Sequence, residues 1–79
     1  MFKLLLLAPD SLLYEGEISS LTVPGSEGYL QILKGHAPLL TSLKKGALRY
    51  IDANQANHSL DITGGILEVV GGNATVLLN

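Results

Sequence analysis

The sequence predicts an all-β protein, a small β-sandwich of about ten short strands that forms a single domain over residues 1–79. Turn-forming residues recur at short intervals, and the runs between them are short and apolar. No stretch of useful length repeats its apolar residues with the helical period of 3.6. A chain of 79 residues is also too short to divide into two domains that each build a core.

The bulk composition limits the classes of function. The chain is 47% hydrophobic and 15% charged, against about 25% charged in an ordinary domain, so it is not a disordered tail. Its net charge is -2 and its five basic residues are scattered, so we expect no nucleic-acid partner. Cysteine is absent, which excludes disulfides and thiolate metal sites. No apolar run is long enough for a membrane-spanning helix or a signal peptide.

Each strand is predicted from an apolar run between two turn signals such as Pro9-Asp10, Lys45-Gly46 or Gly71-Gly72. The nine runs that can be placed this way are Phe2–Ala8, Ser11–Glu15, Glu17–Val23, Tyr29–Leu33, Leu39–Leu43, Ala47–Ala53, Ser59–Thr63, Ile66–Val70 and Ala74–Leu78.

The third run carries an irregularity. Leu21 and Val23 share one face of the strand, but Ile18 is out of phase with them. A β-bulge near Ser19-Ser20 would restore the register, so we expect one there.

The segment from His36 to Lys45 is the one place where a helix competes with a strand. Leu39, Leu40 and Leu43 have the spacing of a helix stripe. The segment has Pro38 near its start and is short for a helix, so we predict that it is extended.

Several predicted strands are apolar on both faces, which a strand of a simple sandwich does not need. This holds for Leu4–Leu7, for Ile66–Val70 apart from Glu68, and for Ala74–Leu78 apart from Thr75. A second apolar face indicates a second buried surface, and we interpret it as a protein–protein interface.

No pattern in the chain predicts catalysis. His36 and His58 are far apart and share no metal-ligand spacing, and Glu15 and Glu17 read as a solvated pair. No serine lies in a G-x-S-x-G elbow, and no phosphate-binding loop is present. We therefore expect no catalytic residue, no metal and no cofactor.

Two ordered motifs point to a family. The stretch Val23–Leu40 resembles the signature of the epsilon subunit of F-type ATP synthases, and Thr63–Val69 resembles the family's second signature. Gly46–Ile51, Asn73–Leu77 and the opening Leu7–Asp10 are similar to further family strands and turns. The resemblance covers nearly the whole chain in the right order.

The resemblance implies a non-catalytic subunit of the central stalk, the rotor of the ATP synthase. Family members pack beside the gamma subunit and sit on the polar loops of the c-subunit ring. They help connect ring rotation, driven by protons or sodium ions, to ATP synthesis. The implied location is peripheral, on the cytoplasmic side of the energy-coupling membrane.

The chain departs from the family pattern in three ways. It ends at Asn79, so we expect no C-terminal helix pair and, without it, neither ATP binding nor self-inhibition. Gln31 stands where the family usually has glycine, and Lys34-Gly35 replaces the common Pro-x pair before the histidine.

Position in the motif assigns two sets of contact residues. The resemblance implies contact with the c ring by Ser26, Glu27, Gly28, Tyr29 and Leu30. It implies contact with the gamma subunit by Ile32, His36, Ala37, Pro38 and Leu39.

Two other classes of protein compete with this interpretation. A small β carrier or ligand-binding module of the lipoyl type would need a modified lysine at a hairpin tip, and Lys44-Lys45 precede Gly46 near a turn. No acidic neighbour flanks those lysines. A hydrolase or transferase would need a nucleophile paired with a base, which the sequence does not offer.

Overall fold

The structure, a computed structural model, describes residues 1–79 and consists of eight β-strands without a helix. The strands are β1 (Phe2–Ala8), β2 (Ser11–Gly25), β3 (Gly28–Ile32), β4 (Leu39–Leu43), β5 (Gly46–Asp52), β6 (Asn57–Ile62), β7 (Gly65–Val70) and β8 (Asn73–Leu78). No helix is present that is long and apolar enough to cross a membrane.

The strands form one sheet that closes on itself like a sandwich, which confirms the predicted fold class. The strand order is β1-β8-β7-β4-β2-β5-β6, and β3 pairs with β2. The first part of β2 pairs with β1, while its second part pairs with β3, β4 and β5. The 15-residue β2 therefore joins β1 to the part of the sheet that contains β3, β4 and β5.

The strand count differs from the prediction because Gly16 does not interrupt its strand. The predicted strands Ser11–Glu15 and Glu17–Val23 are one continuous β2. Gly16 lies opposite Leu4 within an unbroken stretch of the β1–β2 ladder, so its neighbours keep their pairing. The protein has eight strands, fewer than the nine placed and the ten or so expected.

The predicted β-bulge in the same strand is confirmed. The register between β2 and β5 shifts between Ile18 and Ser20. This shift lets Ile18, Leu21 and Val23 all be fully buried, although their spacing breaks a strict alternation.

The core consists of 15 buried apolar side chains, to which every strand contributes. No polar or charged residue is buried with them. Leu4 on β1, Leu67 on β7 and Val76 on β8 are among the fully buried ones. Complete burial of a side chain of this size stabilises a fold by about 1.5–3 kcal/mol.

The segment after His36 is extended, as predicted. Leu39–Leu43 forms β4 and pairs antiparallel with β7. Alternation along β4 sends Leu43 into the core and leaves Leu40 on the outer surface with 72% of its area exposed.

Candidate interaction surfaces

The β2–β3 hairpin projects a tight polar tip. Ser26 and Glu27 form its two-residue turn, between the paired residues Gly25 and Gly28. Gly28, the first residue after the turn, has φ 129°, a conformation that favours glycine. The tip therefore presents an exposed carboxylate on a short, closed turn.

Two backbone hydrogen bonds tie this tip to the neighbouring strand and turn. The amide of Ser26 donates to the carbonyl of Ser42 at 3.0 Å, and the amide of Lys44 donates to the carbonyl of Pro24 at 2.8 Å. The tip is thus fixed beside the β4–β5 turn that carries Lys44 and Lys45.

The five residues assigned to the c ring lie together in this hairpin but differ in exposure. Ser26 and Glu27 are exposed, and Tyr29 has 57% of its area exposed. Gly28 is half-buried, and Leu30 packs partly buried against the core. Their assignment to the ring remains a prediction.

The residues assigned to the gamma subunit separate into a surface group and a core residue. His36, Ala37 and Pro38 are exposed in the β3–β4 connection, where His36 Nδ1 lies 2.7 Å from the carbonyl oxygen of Ala37. Leu39 is partly buried and packs against the core. Ile32 is fully buried, so its side chain supports the core and has no surface to offer a partner.

A row of outward apolar side chains crosses four strands of the sheet. We name it the outer strip, and it consists of Leu12, Leu7, Leu77 and Ile66. The sheet register places Leu12 beside Leu7, Leu7 beside Leu77, and Leu77 beside Ile66. Leu12, Leu77 and Ile66 are 54%, 49% and 47% exposed, and Leu7 is half-buried.

The outer strip was not among the residues assigned to a partner from the sequence. Its signal was the doubled apolar face of the strands near Leu7, Ile66 and Leu77, which predicted an interface without locating it. The next row on the same face carries Glu68 opposite Thr75, which gives the strip a polar border on β7 and β8.

A histidine–aspartate pair closes the β5–β6 hairpin. His58 Nε2 lies 2.8 Å from Asp52 Oδ2, and the amides of Asn54 and Ala56 donate to Asp52 Oδ1 at 2.8 and 3.0 Å. The hydrogen bond from His58, followed by that from Ala56, lowers the pKa of the Asp52 carboxyl below its ordinary value. These contacts are typical of a well-fixed turn.

Two tyrosine rings pack beside this pair. The ring of His58 stacks on Tyr50, with centroids 4.7 Å apart and planes at 12°, and Tyr14 lies 4.6 Å from Tyr50. Burial raises the pKa of the Tyr50 hydroxyl, with smaller contributions from Tyr14 and Asp52. The cluster binds β2, β5 and β6 together.

The surface offers little for a small ligand. The larger of two shallow recesses has a volume of about 250 Å³, below the roughly 300–1,000 Å³ of typical ligand pockets. No group of three histidine, aspartate or glutamate side chains is placed to hold a metal ion. The features that stand out are the hairpin tip and the outer strip.

Comparison with known proteins identifies the family. Residues 1–79 match the family described as the ATP synthase delta/epsilon chain, β-sandwich domain. The chain belongs to this family. The resemblance drawn from the two sequence motifs is thereby confirmed.

Curated relatives of the delta/epsilon family support the same placement. The ATP synthase epsilon chain of Chlorobium limicola is 43% identical over 76 residues, covering 96% of this chain and 86% of the relative. That of Chlorobaculum tepidum is 42% identical with the same coverage. That of Syntrophomonas wolfei is 40% identical, and this chain spans 56% of its length.

Two solved structures of ATP synthases contain a chain with the same fold. A chain in the Euglena gracilis mitochondrial ATP synthase structure has a TM-score of 0.89 at 22% identity, with 95% of this chain and 48% of that chain covered. One in the central stalk and c-ring structure from Tetrahymena thermophila has a TM-score of 0.79 at 19% identity, with 96% and 61% covered. The protein spans about half to three-fifths of these chains.

Membership of the delta/epsilon family confirms the prediction of a non-catalytic ATP synthase subunit. The competing interpretation as a lipoyl-type carrier is left without support, because the family match and the epsilon-chain relatives cover the residues on which it rested.

Proposed function

We propose that this chain is the epsilon-type subunit of an ATP synthase central stalk, where it binds the gamma subunit and the c ring and performs no chemistry. In that place it transmits rotation of the ring, and so connects ion flow to ATP synthesis. The family match and the epsilon-chain relatives support the subunit assignment. The observation that carries the binding role is the outer strip.

The outer strip suits a protein partner because its side chains form a continuous apolar surface. Three of the four strip residues expose about half of their area, and strand pairing holds them side by side. Interfaces concentrate their binding energy in a few central apolar or aromatic anchors surrounded by polar residues. Ser42 and Glu68 border the strip and supply such a polar rim.

We assign the outer strip to the gamma subunit, together with the exposed His36–Pro38 connection that leads into β4. Strand β4 borders the strip because Ser42 lies opposite Ile66. Two of its outward positions, Leu40 and Ser42, are exposed beside the strip. A partner that covered the strip could therefore extend across β4.

We assign the polar hairpin tip to the c ring. The tip ends in Ser26 and the exposed carboxylate of Glu27, with Lys44 and Lys45 on the adjoining turn. Polar and charged groups of this kind complement polar loops and fix the orientation of a complex more than its strength. The protein then lies at the cytoplasmic side of the membrane as a peripheral subunit.

Co-purification tests the proposal. The full chain is mixed separately with the cognate gamma subunit and with detergent-solubilised c ring, and each mixture is separated by size and weighed. The proposal expects one chain to co-elute with each gamma subunit, and binding to the ring as well. A chain that elutes alone in both mixtures would contradict it.

A further inference from the structure

The hydroxyl of Tyr29 reaches across one strand to the next. Tyr29 on β3 lies directly opposite Pro24 of β2. Beyond β2, the amide of Ala47 at the start of β5 donates a hydrogen bond to Tyr29 Oη at 3.1 Å. The side chain is 57% exposed, yet its polar end is bound to the backbone.

Gly46 leaves room for this crossing. A Cβ atom at Gly46 would lie 2.8 Å from Tyr29 Oη and 2.9 Å from Pro24 Cβ, closer than real Cβ contacts come. Tyr29, Pro24 and Gly46 therefore pack without space for one more methyl group. The phenol is fixed by packing as well as by its hydrogen bond.

The crossing adds a restraint at the exposed end of β3, whose other anchors are the buried Ile32 and the partly buried Leu30. Strand β3 pairs with β2 alone, and its other edge is unpaired. A two-stranded hairpin is only marginally stable by itself. The Tyr29 hydroxyl links β3 to β5 and so restrains the turn at Ser26 and Glu27 from its β3 side.

We propose that Tyr29 is a positioning residue, whose hydroxyl holds the hairpin tip so that Glu27 meets the c ring in one fixed orientation. This rests on the proposed contact between the tip and the ring. A loop that is ordered before binding avoids the entropy cost of ordering on binding, and so binds more tightly. The hydroxyl acts through Glu27 and does not itself touch the ring.

Tyr29→Phe tests the proposal, because it removes the hydroxyl and keeps the ring. We expect faster hydrogen exchange at the Ala47 amide and about three- to tenfold weaker binding to detergent-solubilised c ring, the loss expected for one hydrogen bond. Tyr14→Phe is the matched control, because it also removes a tyrosine hydroxyl bonded to backbone, here the carbonyl of Glu17. It should leave ring binding unchanged.

A double-mutant cycle separates positioning from direct contact. If Tyr29 acts by placing Glu27, then Glu27→Gln weakens ring binding less in the Tyr29→Phe background than in the unmodified chain. Additive losses would overturn the proposal. So would a Tyr29→Phe chain that binds normally while Tyr29→Ala binds weakly, because the aromatic ring would then be the contact.

The wild-type chain distinguishes this inference from the function on which it rests. A wild-type chain that fails to bind the ring contradicts the proposed ring contact, and the positioning role fails with it. A wild-type chain that binds while Tyr29→Phe binds equally well contradicts only the positioning role.

Discussion

Asp52 and His58 close the β5–β6 hairpin through a contact of 2.8 Å between Oδ2 and Nε2. The same carboxylate accepts the amides of Asn54 and Ala56 through its other oxygen. The backbone amide of Asp52 also donates to the carbonyl of Ala56, and its carbonyl accepts from Gln55. One residue thus organises the whole turn and ties it to the aromatic cluster through His58.

This arrangement predicts an acid-sensitive contribution to stability. The hydrogen bond from His58 lowers the pKa of Asp52 in the folded state. The contribution is therefore complete above the unfolded pKa of about 3.9, and is lost as the pH falls through the lowered folded value. In His58→Ala the free energy of unfolding should fall less over that acid range, as measured by urea denaturation at a series of pH values.

His36→Ala is the matched control for that series. The His36 ring lies within hydrogen-bond distance of the carbonyl oxygen of its neighbour Ala37 and is not paired with a carboxylate. The free energy of unfolding of His36→Ala should change with pH in the same way as that of the unmodified chain. A His58→Ala profile as steep as the unmodified one would contradict the role given to the pair.

The packing of the core predicts that two leucines on paired strands contribute very differently to stability. Leu67→Ala should destabilise the fold by about 2–5 kcal/mol, because the side chain is fully buried and its removal leaves a cavity. Leu40→Ala should change stability by no more than about 0.5 kcal/mol, because Leu40 is 72% exposed. Equal losses in thermal or urea unfolding would show that the sheet packs differently.

A glycine at the β7–β8 ladder should resist substitution. Gly65 has φ 156°, and a Cβ there would overlap the carbonyl oxygen of Leu77. Gly65→Ala should cost more than about 3 kcal/mol, since backbone strain and overlap add. Gly71 has φ 54° with open space around it, so Gly71→Ala should cost about 1 kcal/mol. The order of the two melting temperatures checks this, and a reversed order would contradict it.

Substitutions in the outer strip should weaken binding to the gamma subunit without unfolding the protein. The double variant Ile66→Thr and Leu77→Thr places threonine, a β-branched residue that strands favour, in two half-exposed positions, so its stability should change by less than about 1 kcal/mol. Its affinity for the gamma subunit should fall at least about tenfold, because it removes two apolar anchors. Calorimetric titration measures this loss.

Val70→Thr is the control for the strip. Val70 is 53% exposed like the strip residues, but it lies beyond the pair Glu68 and Thr75, outside the outer strip. The affinity of Val70→Thr for gamma should match that of the unmodified chain. If Val70→Thr weakened binding as much as the double variant, the strip would have no special part in the interface.

Local patterns in the sequence predicted the strands well but misjudged one glycine. Short apolar runs located nearly every strand, and the broken phase of Ile18 predicted the bulge in β2. The predicted break at Gly16 is wrong, although glycine often marks turns. Whether a glycine turns the chain depends on its pairing, and Gly16 is held extended by Leu4 from another strand.

Of the two candidate surfaces, the sequence predicted the position of one and not of the other. The hairpin tip at Ser26 and Glu27 was located by its motif, because all of its residues are adjacent in the chain. The outer strip was not, because Leu7 and Leu77 become neighbours only through a parallel pairing of the first and last strands. The buried position of Ile32 is consistent with strand alternation, since Gln31 points outward.

Site-specific cross-linking tests the central claim, that the tip meets the c ring and the outer strip meets gamma. The chain has no cysteine, so Glu27→Cys and Leu77→Cys each introduce a single reactive thiol. In the assembled enzyme, Glu27→Cys should cross-link to a c subunit and Leu77→Cys to gamma. Cross-links in the reverse pattern, or none to either partner from both variants, would contradict the claim.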